Sequence, residues 1–368
     1  LQFNFRCPTR IFFDEQCVQK YSSQLSALGR KALVVTGRTS SKRNGSLRDM
    51  IAAFSQEGIQ YNVFDEVEEN PSLKTVYRAA NMARKLEAEF IVGIGGGSPM
   101  DAAKAVAVLA TNNISEQDLM DKKWTADPLP IVAVPTTAGT GSEVTPYSIL
   151  TVDWAETKKS IAGEKLFPAV AFMDARYTRN LPWNITINTA VDALSHSVEG
   201  FVNNRATVFS DLLALESISI IGRLLKTMTE DDITLSQREE LLYASMLGGI
   251  VIAQTATGVI HALGYPLTYF KGLPHGLANG VVMKASLEFL AQSSPDRVEQ
   301  VVKSMGCKDL EEFGNLLKKV LSPVDIKLTT REQDLYVAKT LQAKNIANCP
   351  KKPEEKDIYE ILKNSSLV

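Results

Sequence analysis

The 368-residue chain holds three histidines, His196, His261 and His275, all in its second half. The first follows Asp192 by four positions, in Val-Asp-Ala-Leu-Ser-His-Ser-Val-Glu. Residues four apart on a helix share a face, so this carboxylate and imidazole can point at one ion. The other two bracket the stretch from Ala262 to Pro274. One carboxylate and three imidazoles form a full donor set for a divalent first-row metal. A metal centre is therefore expected on Asp192, His196, His261 and His275. Glu199, three residues beyond His196, reads equally as a partner that orients a ligand or as an ordinary solvated helix glutamate.

A second set of residues suits a phosphate. The apolar run Phe90–Ile94 ends in Gly95-Gly96-Gly97-Ser98-Pro99-Met100-Asp101-Ala-Ala-Lys104. Glycines let backbone N–H groups approach a ligand closely and permit positive φ. Ser98 suits an N-cap, Pro99 the first helical position, and Asp101 the third position of a capping box. Strand, glycine turn and helix start together attract anions. The order differs from Gly-x-Gly-x-x-Gly and follows the third strand, not the first, so an ordinary Rossmann assignment does not fit. After a further strand comes Thr136-Thr137-Ala138-Gly139-Thr140-Gly141-Ser142-Glu143, whose hydroxyls suit a diphosphate or a ribose. It is expected to form the other wall of the same cleft. The loop after the first strand, Gly37-Arg38-Thr39-Ser40-Ser41-Lys42-Arg43, carries cations and hydroxyls but no acid. An acid there would hold the ribose hydroxyls of NAD; cations suit the extra phosphate of NADP.

These residues need elements to hold them. Strands are expected at 31–36, 59–64, 90–94 and 130–134, and helices at 47–58 and 72–88. Strands alternating with helices imply βαβ units and a parallel sheet. Beyond Leu181-Pro182 the pattern turns helical: 189–202, 208–226, 237–264, 279–292, 296–305 and 309–321. The expected architecture has two domains, an α/β dinucleotide-binding domain over 1–180 and an all-α metal-binding and substrate domain over 181–368. Residues 241–270 lack Asp, Glu, Lys and Arg. That length could span a bilayer, but Gln254, His261, Gly264 and Pro266 favour a buried central helix running into a turn.

Composition bounds the partners. The chain is 45% apolar and 22% charged, ordinary for a folded protein. A net charge of −2 argues against nucleic acid, which needs a basic field. Four scattered cysteines without a Cys-x-x-Cys pair read as free thiols in a reducing cytoplasm. The opening Leu-Gln-Phe-Asn-Phe-Arg has a charge where a signal peptide needs an apolar run.

Taken jointly, Gly95-Gly-Gly-Ser-x-x-Asp-x-x-Lys104, Pro135-Thr-Thr-Ala-Gly-Thr-Gly-Ser-Glu-Val-Thr145, Asp192-Ala-Leu-x-His196-x-x-Glu199 and Pro274-His275-Gly276 resemble the iron-containing (group III) alcohol dehydrogenases. The resemblance covers nearly the whole chain, in order and at family spacing. It implies a dehydroquinate synthase-like architecture with a cleft between the two domains, a homodimer, and Fe2+ or sometimes Zn2+ on the four donors. It implies hydride transfer between nicotinamide C4 and a metal-bound alcohol or carbonyl of a small-molecule substrate. The cofactor contacts it implies are Gly37, Arg38, Thr39, Ser40 and Ser41 at the adenosine end, Asn70, Gly96, Gly97 and Ser98 at the diphosphate, then Asp101, Thr136, Thr137, Thr140, Ser142 and Lys159. Members using NAD often carry Asp where Gly37 stands, which reinforces NADP over NAD. Many members also have a proton-relay histidine where this chain has Tyr265. Rival readings are a glycerol dehydrogenase-like or dehydroquinate synthase-like zinc enzyme, or a non-catalytic nucleotide-binding protein of the same fold. Tyr147, Tyr269 and Phe270 are candidate lining for small or medium apolar alcohols and aldehydes. The dimer contact is expected near an N-terminal edge strand around 3–10.

Overall fold

The computed structural model describes residues 3–368. The chain forms two compact units. One comprises Cys7–Thr137 and Gly141–Leu181; the other holds the residues up to Arg6, Ala138–Thr140 and Pro182–Val368. The division is thus not contiguous: three residues of the second glycine-rich loop group with the helical unit.

The α/β unit contains strands β1 (Arg10–Phe13), β2 (Lys31–Gly37), β3 (Gln60–Val67), β4 (Phe90–Gly95), β5 (Ile131–Pro135), β6 (Tyr147–Val152), β7 (Thr157–Ala162) and β8 (Val170–Met173). Six form one sheet in the order β1-β8-β5-β4-β2-β3, and every pairing in it is parallel. Side chains alternate between its faces, as strand geometry requires. Leu33, Val35, Ile91 and Ile131 pack against the helices Leu73–Leu86 and Gly97–Thr111. Ala32, Val34, Val92, Ile94, Val132 and Val134 pack on the opposite side with Met50 and Phe54 of the helix Ser46–Glu57. Burying each such aliphatic side chain contributes roughly 1.5–3 kcal/mol relative to exposure. Sheets buried on both faces read as near-continuous apolar runs, which is why the interior strands β2, β4 and β5 were visible in sequence.

The strand order reverses beside β2, since β3 lies on one side of it and β4 on the other. In open parallel sheets ligands bind beyond the strand C-termini at such a reversal. Thr36 pairs with Ile94 and Gly95 with Pro135, so the three chain segments read as cofactor loops leave adjacent strand ends.

Strands β6, β7 and β8 were not anticipated, and the N-terminal edge strand expected around 3–10 is β1, at Arg10–Phe13. β1 and β8 are four residues each, too short to show a period. β6 and β7 form an antiparallel hairpin outside the main sheet, turning at Glu156 with φ 47°.

The helical unit is built around Trp183–Phe201, packed against Val208–Thr227, Leu235–Thr255 and His275–Ala291. Thr207, Thr234 and Thr329 open their helices with capping boxes, each satisfying two otherwise unpaired groups. The helices Thr330–Gln342 and Glu355–Asn364 complete it and were not foreseen. The segment expected as one helix over 237–264 is two. Leu235–Thr255 stops at Ala256, held at φ 60°, and Val259–Lys271 continues at a 110° bend. Gly264 and Pro266 therefore lie inside the second helix, not in a turn. Pro266 cannot donate to the Ala262 carbonyl one turn back; that carbonyl takes the Thr340 hydroxyl instead, at 3.5 Å. Among the described residues no single helix is long and apolar enough to cross a membrane.

Candidate metal centre and nucleotide cradle

The break at Ala256 decides where His261 lies. It places that histidine in the first turn of Val259–Lys271, where the leading backbone N–H groups lack helical partners. Glu199, from Trp183–Phe201, caps them. Its Oε1 accepts from Ile260 N at 2.5 Å and from His261 N at 3.4 Å. Its Oε2 lies 2.5 Å from His261 Nδ1. A carboxylate accepts, so Nδ1 carries the proton and the Nε2 lone pair is left free. Glu199 is buried, which removes its reading as a solvated helix glutamate.

That Nε2 faces Asp192 Oδ1 at 3.8 Å, and His275 Nε2 lies 3.9 Å from the same oxygen. Donor atoms of Asp192, His261 and His275 all fall within 4.8 Å of one another. Thr268 Oγ1 is 3.3 Å from His275 Nδ1, so this ring too has an outer partner. His196 is not among the three converging donors. Its ring stacks on His261 with centroids 4.7 Å apart, and its Nδ1 is buried with no partner among the described residues. Burial pushes His196 down to about 4, against the pull of Asp192, so the imidazole is neutral at pH 7, the form that binds metal. His261 Nε2 is likewise buried and unpaired. Buried nitrogens without partners are costly in a native structure. His261 Nε2, 3.8 Å from the Asp192 carboxylate and grouped with His275, fits a divalent metal in chemistry and in placement, while neutral His196 fits it in chemistry alone.

Tyr265 stacks on His275, centroids 5.6 Å apart and planes within 11°. Tyr269 and Phe270 touch edge to face, and Phe270 stacks on Tyr336, which ties it into the helical core. Tyr147 opens β6 in the other unit.

In the α/β unit, Gly95 has φ 150°, a backbone angle that favours glycine. The helix starts two residues earlier than expected. Gly96 is its N-cap and Gly97 its first residue, so Ser98 is not the cap. Ser98 instead accepts from Asn70 N at 3.1 Å, and Asn70 holds φ 58°. Asp101 makes no capping box. Its carboxylate takes Ser142 Oγ at 2.6 Å and Ile149 N at 3.0 Å. Lys104, fully buried, donates to Ser142 O and Oγ at 2.7 Å and to Tyr147 O at 2.8 Å. Asp101 and Ser142 thus bind the glycine-turn helix to the second loop. Buried Glu143 is raised to about 7 by desolvation, and Lys104 is lowered to about 8 by the same cause. Thr136 is buried and its N–H reaches Gly95 O at 2.8 Å, while Thr137 and Thr140 are half-buried.

At the end of β2, Arg38, Thr39 and Ser40 are exposed and Gly37 half-buried, whereas Ser41 points inward. Lys42 is bound to Asp65 at 2.5 Å. Asp65 comes from neighbouring β3, so the loop's charge is partly neutralised by an acid that its own sequence does not show. Lys159 is exposed, its ammonium 4.3 Å from the Trp154 ring centre. Burial raises the Asp101 pKa, Lys104 opposes it most strongly among the charges, and Lys158, the neighbour of Lys159 on β7, adds a smaller pull.

A parallel sheet with a nucleotide-type switch point, accompanied by a helical unit with a buried His/Asp cluster, defines a two-domain metal-dependent dehydrogenase class. Family models for the iron-containing alcohol dehydrogenases match residues 8–175 and, for the C-terminal part, 186–366. The chain belongs to the iron-containing alcohol dehydrogenase family. An iron-containing alcohol dehydrogenase from Thermotoga maritima superposes with a TM-score of 0.93 at 42% identity, covering 100% of each chain. The NADH-dependent butanol dehydrogenase A of Thermotoga maritima gives a TM-score of 0.88 at 26% identity, over 99% of this chain and 98% of that one. The NADPH-dependent butanol dehydrogenase of Clostridium saccharobutylicum is 29% identical over 343 residues, 90% of this chain and 87% of the relative.

Proposed function

We propose that this protein is a metal-dependent alcohol dehydrogenase and aldehyde reductase that favours NADP(H). Asp192, His196, His261 and His275 would hold Fe2+, with Zn2+ as the substitute. The convergence of the Asp192, His261 and His275 donor atoms within 4.8 Å carries this reading. A divalent ion supplies Lewis-acid polarisation of a substrate oxygen, and a bound nicotinamide supplies the hydride donor or acceptor.

The chain's own residues do the rest. Glu199 holds His261 in the tautomer whose Nε2 lone pair faces Asp192. Burial keeps His196 uncharged. The backbone turn Gly95–Ser98 opens a helix whose N-terminus suits a diphosphate. All three histidines belong to the proposed donor set, so none remains as a proton relay. Tyr265 stands beside His275, but phenols in general are a poorer match than imidazoles to proton transfer at neutral pH. Solvent or a cofactor ribose hydroxyl fits that role better.

Relatives named for NADH and for NADPH both occur. The exposed Arg38, Thr39 and Ser40, with Gly37 in place of an acid, support NADPH here. Tyr147, Tyr269 and Phe270 support small or medium apolar alcohols and aldehydes. Four free thiols support a reducing cytoplasm, and β1 at the sheet edge supports a homodimer through that region.

The deciding experiment is anaerobic reconstitution with ferrous iron, followed by the initial rate of aldehyde-dependent NADPH oxidation. The expected result is a rate abolished by chelation and by His261→Ala, with the fold kept. A metal-free His261→Ala protein that still turns over would overturn the mechanism.

A further inference from the structure

We propose that Asn279 is the positioning residue of the metal centre: its amide fixes the rotation of the Asp192 carboxylate and so sets the affinity for the ion. This rests on the metal reading of Asp192, His261 and His275. Asn279 lies four residues after His275 on the same helix and therefore on the same face. It is fully buried. Its Nδ2 donates to Asp192 Oδ1 at 3.0 Å and lies 3.4 Å from His275 Nε2 and 3.4 Å from Ser195 Oγ. Asp192 Oδ1 is the same oxygen that stands 3.8 Å and 3.9 Å from the two histidine nitrogens. One amide thus touches two members of the donor set.

The residue type matters. A buried carboxylate needs a donor to hold one rotation, but a lysine or arginine there would compete with the ion for its charge. A neutral amide orients the carboxylate and leaves its charge intact. The amide is also confined. A Cβ on Gly264 would stand 2.0 Å from Asn279 Oδ1. Gly264 lies three residues after His261, mid-helix, where glycine costs about 1 kcal/mol relative to alanine. Room for the amide accounts for that cost.

Metal-free protein is titrated with Co2+ against a chromophoric chelator, reading stoichiometry, affinity and the visible cobalt spectrum. Wild type is expected to take one ion per chain and His261→Ala none. Asn279→Ala is expected to bind about 10–100-fold more weakly, the usual effect of losing an outer partner of a ligand, with a shifted cobalt band. Gly264→Ala, which displaces the amide without removing it, is expected to weaken binding in the same direction. Far-UV circular dichroism of the metal-free forms reports folding, and Gly264→Ala serves if Asn279→Ala does not fold. Wild type that binds no ion sinks the metal reading and this proposal with it. Wild-type affinity and an unchanged cobalt spectrum in the folded variants sink the role of Asn279 alone.

Discussion

His196 shows how burial prepares a ligand. Desolvation, stronger than the opposing pull of Asp192, brings its pKa from 6.5 to about 4. The unfolded chain then binds more protons than the folded one between those values. Stability of the metal-free protein should therefore be whole above pH 6.5 and fall by about 3 kcal/mol as pH drops to 4. Urea unfolding across that range tests this; a flat profile in wild type, or an equal slope in His196→Asn, removes the assignment. Gly37 makes a second prediction at this scale. A Cβ there would meet only Val67 O, at 3.5 Å, so a side chain fits without displacing the strand end. Gly37→Asp should lower the ratio of kcat/KM for NADPH over NADH by about ten-fold or more, through repulsion of the extra phosphate. An unchanged ratio would mean the adenosine end binds elsewhere.

Among the elements, the helix Gly97–Thr111 and the loop after β5 are held together by buried charge. Lys104 stays protonated at neutral pH despite its lowered pKa of about 8, and it serves Ser142, Tyr147 and, at 3.9 Å, Asp101. Removing one partner of a buried charged set costs about 3–5 kcal/mol, because the others remain desolvated. Lys104→Met is expected to lose stability of that order in urea and to weaken NADPH binding, read by nucleotide fluorescence. A loss under about 1 kcal/mol with unaltered binding would show that the loop is held by its backbone alone. The break at Ala256 acts at the same scale: it turns what reads as one apolar helix into two and delivers His261 to a capped helix start.

For the molecule as a whole, the donor residues lie in the helical unit and the sheet-end loops in the α/β unit, apart from Ala138–Thr140. A ligand that binds only the folded state stabilises by mass action, about 2.7 kcal/mol at one hundred times its Kd. Ferrous or zinc ion is expected to raise the calorimetric midpoint of wild type reversibly with chelator and to leave His261→Ala unmoved. A shift of equal size in both would assign the effect to nonspecific binding.

Much of this was written in local pattern. The glycine turn, the hydroxyl loop and the Asp192/His196 spacing are short-range features, and the interior strands β2, β4 and β5 show as apolar runs because both sheet faces are buried. What lay outside that reach depends on residues far apart in sequence. Whether Glu199 is solvated or caps His261, 62 positions away, is settled by packing between helices. The same holds for Lys42, whose partner Asp65 comes from the next strand, and for Asn279, 87 positions from Asp192. The helix break at Ala256 also escaped the pattern, since backbone angle there follows from the neighbours that must be accommodated. Residue type and spacing name the chemistry a chain can hold. Long-range packing selects which donors meet, which charges are neutralised and which carbonyls are satisfied, because those energies exist only between segments brought together by the fold.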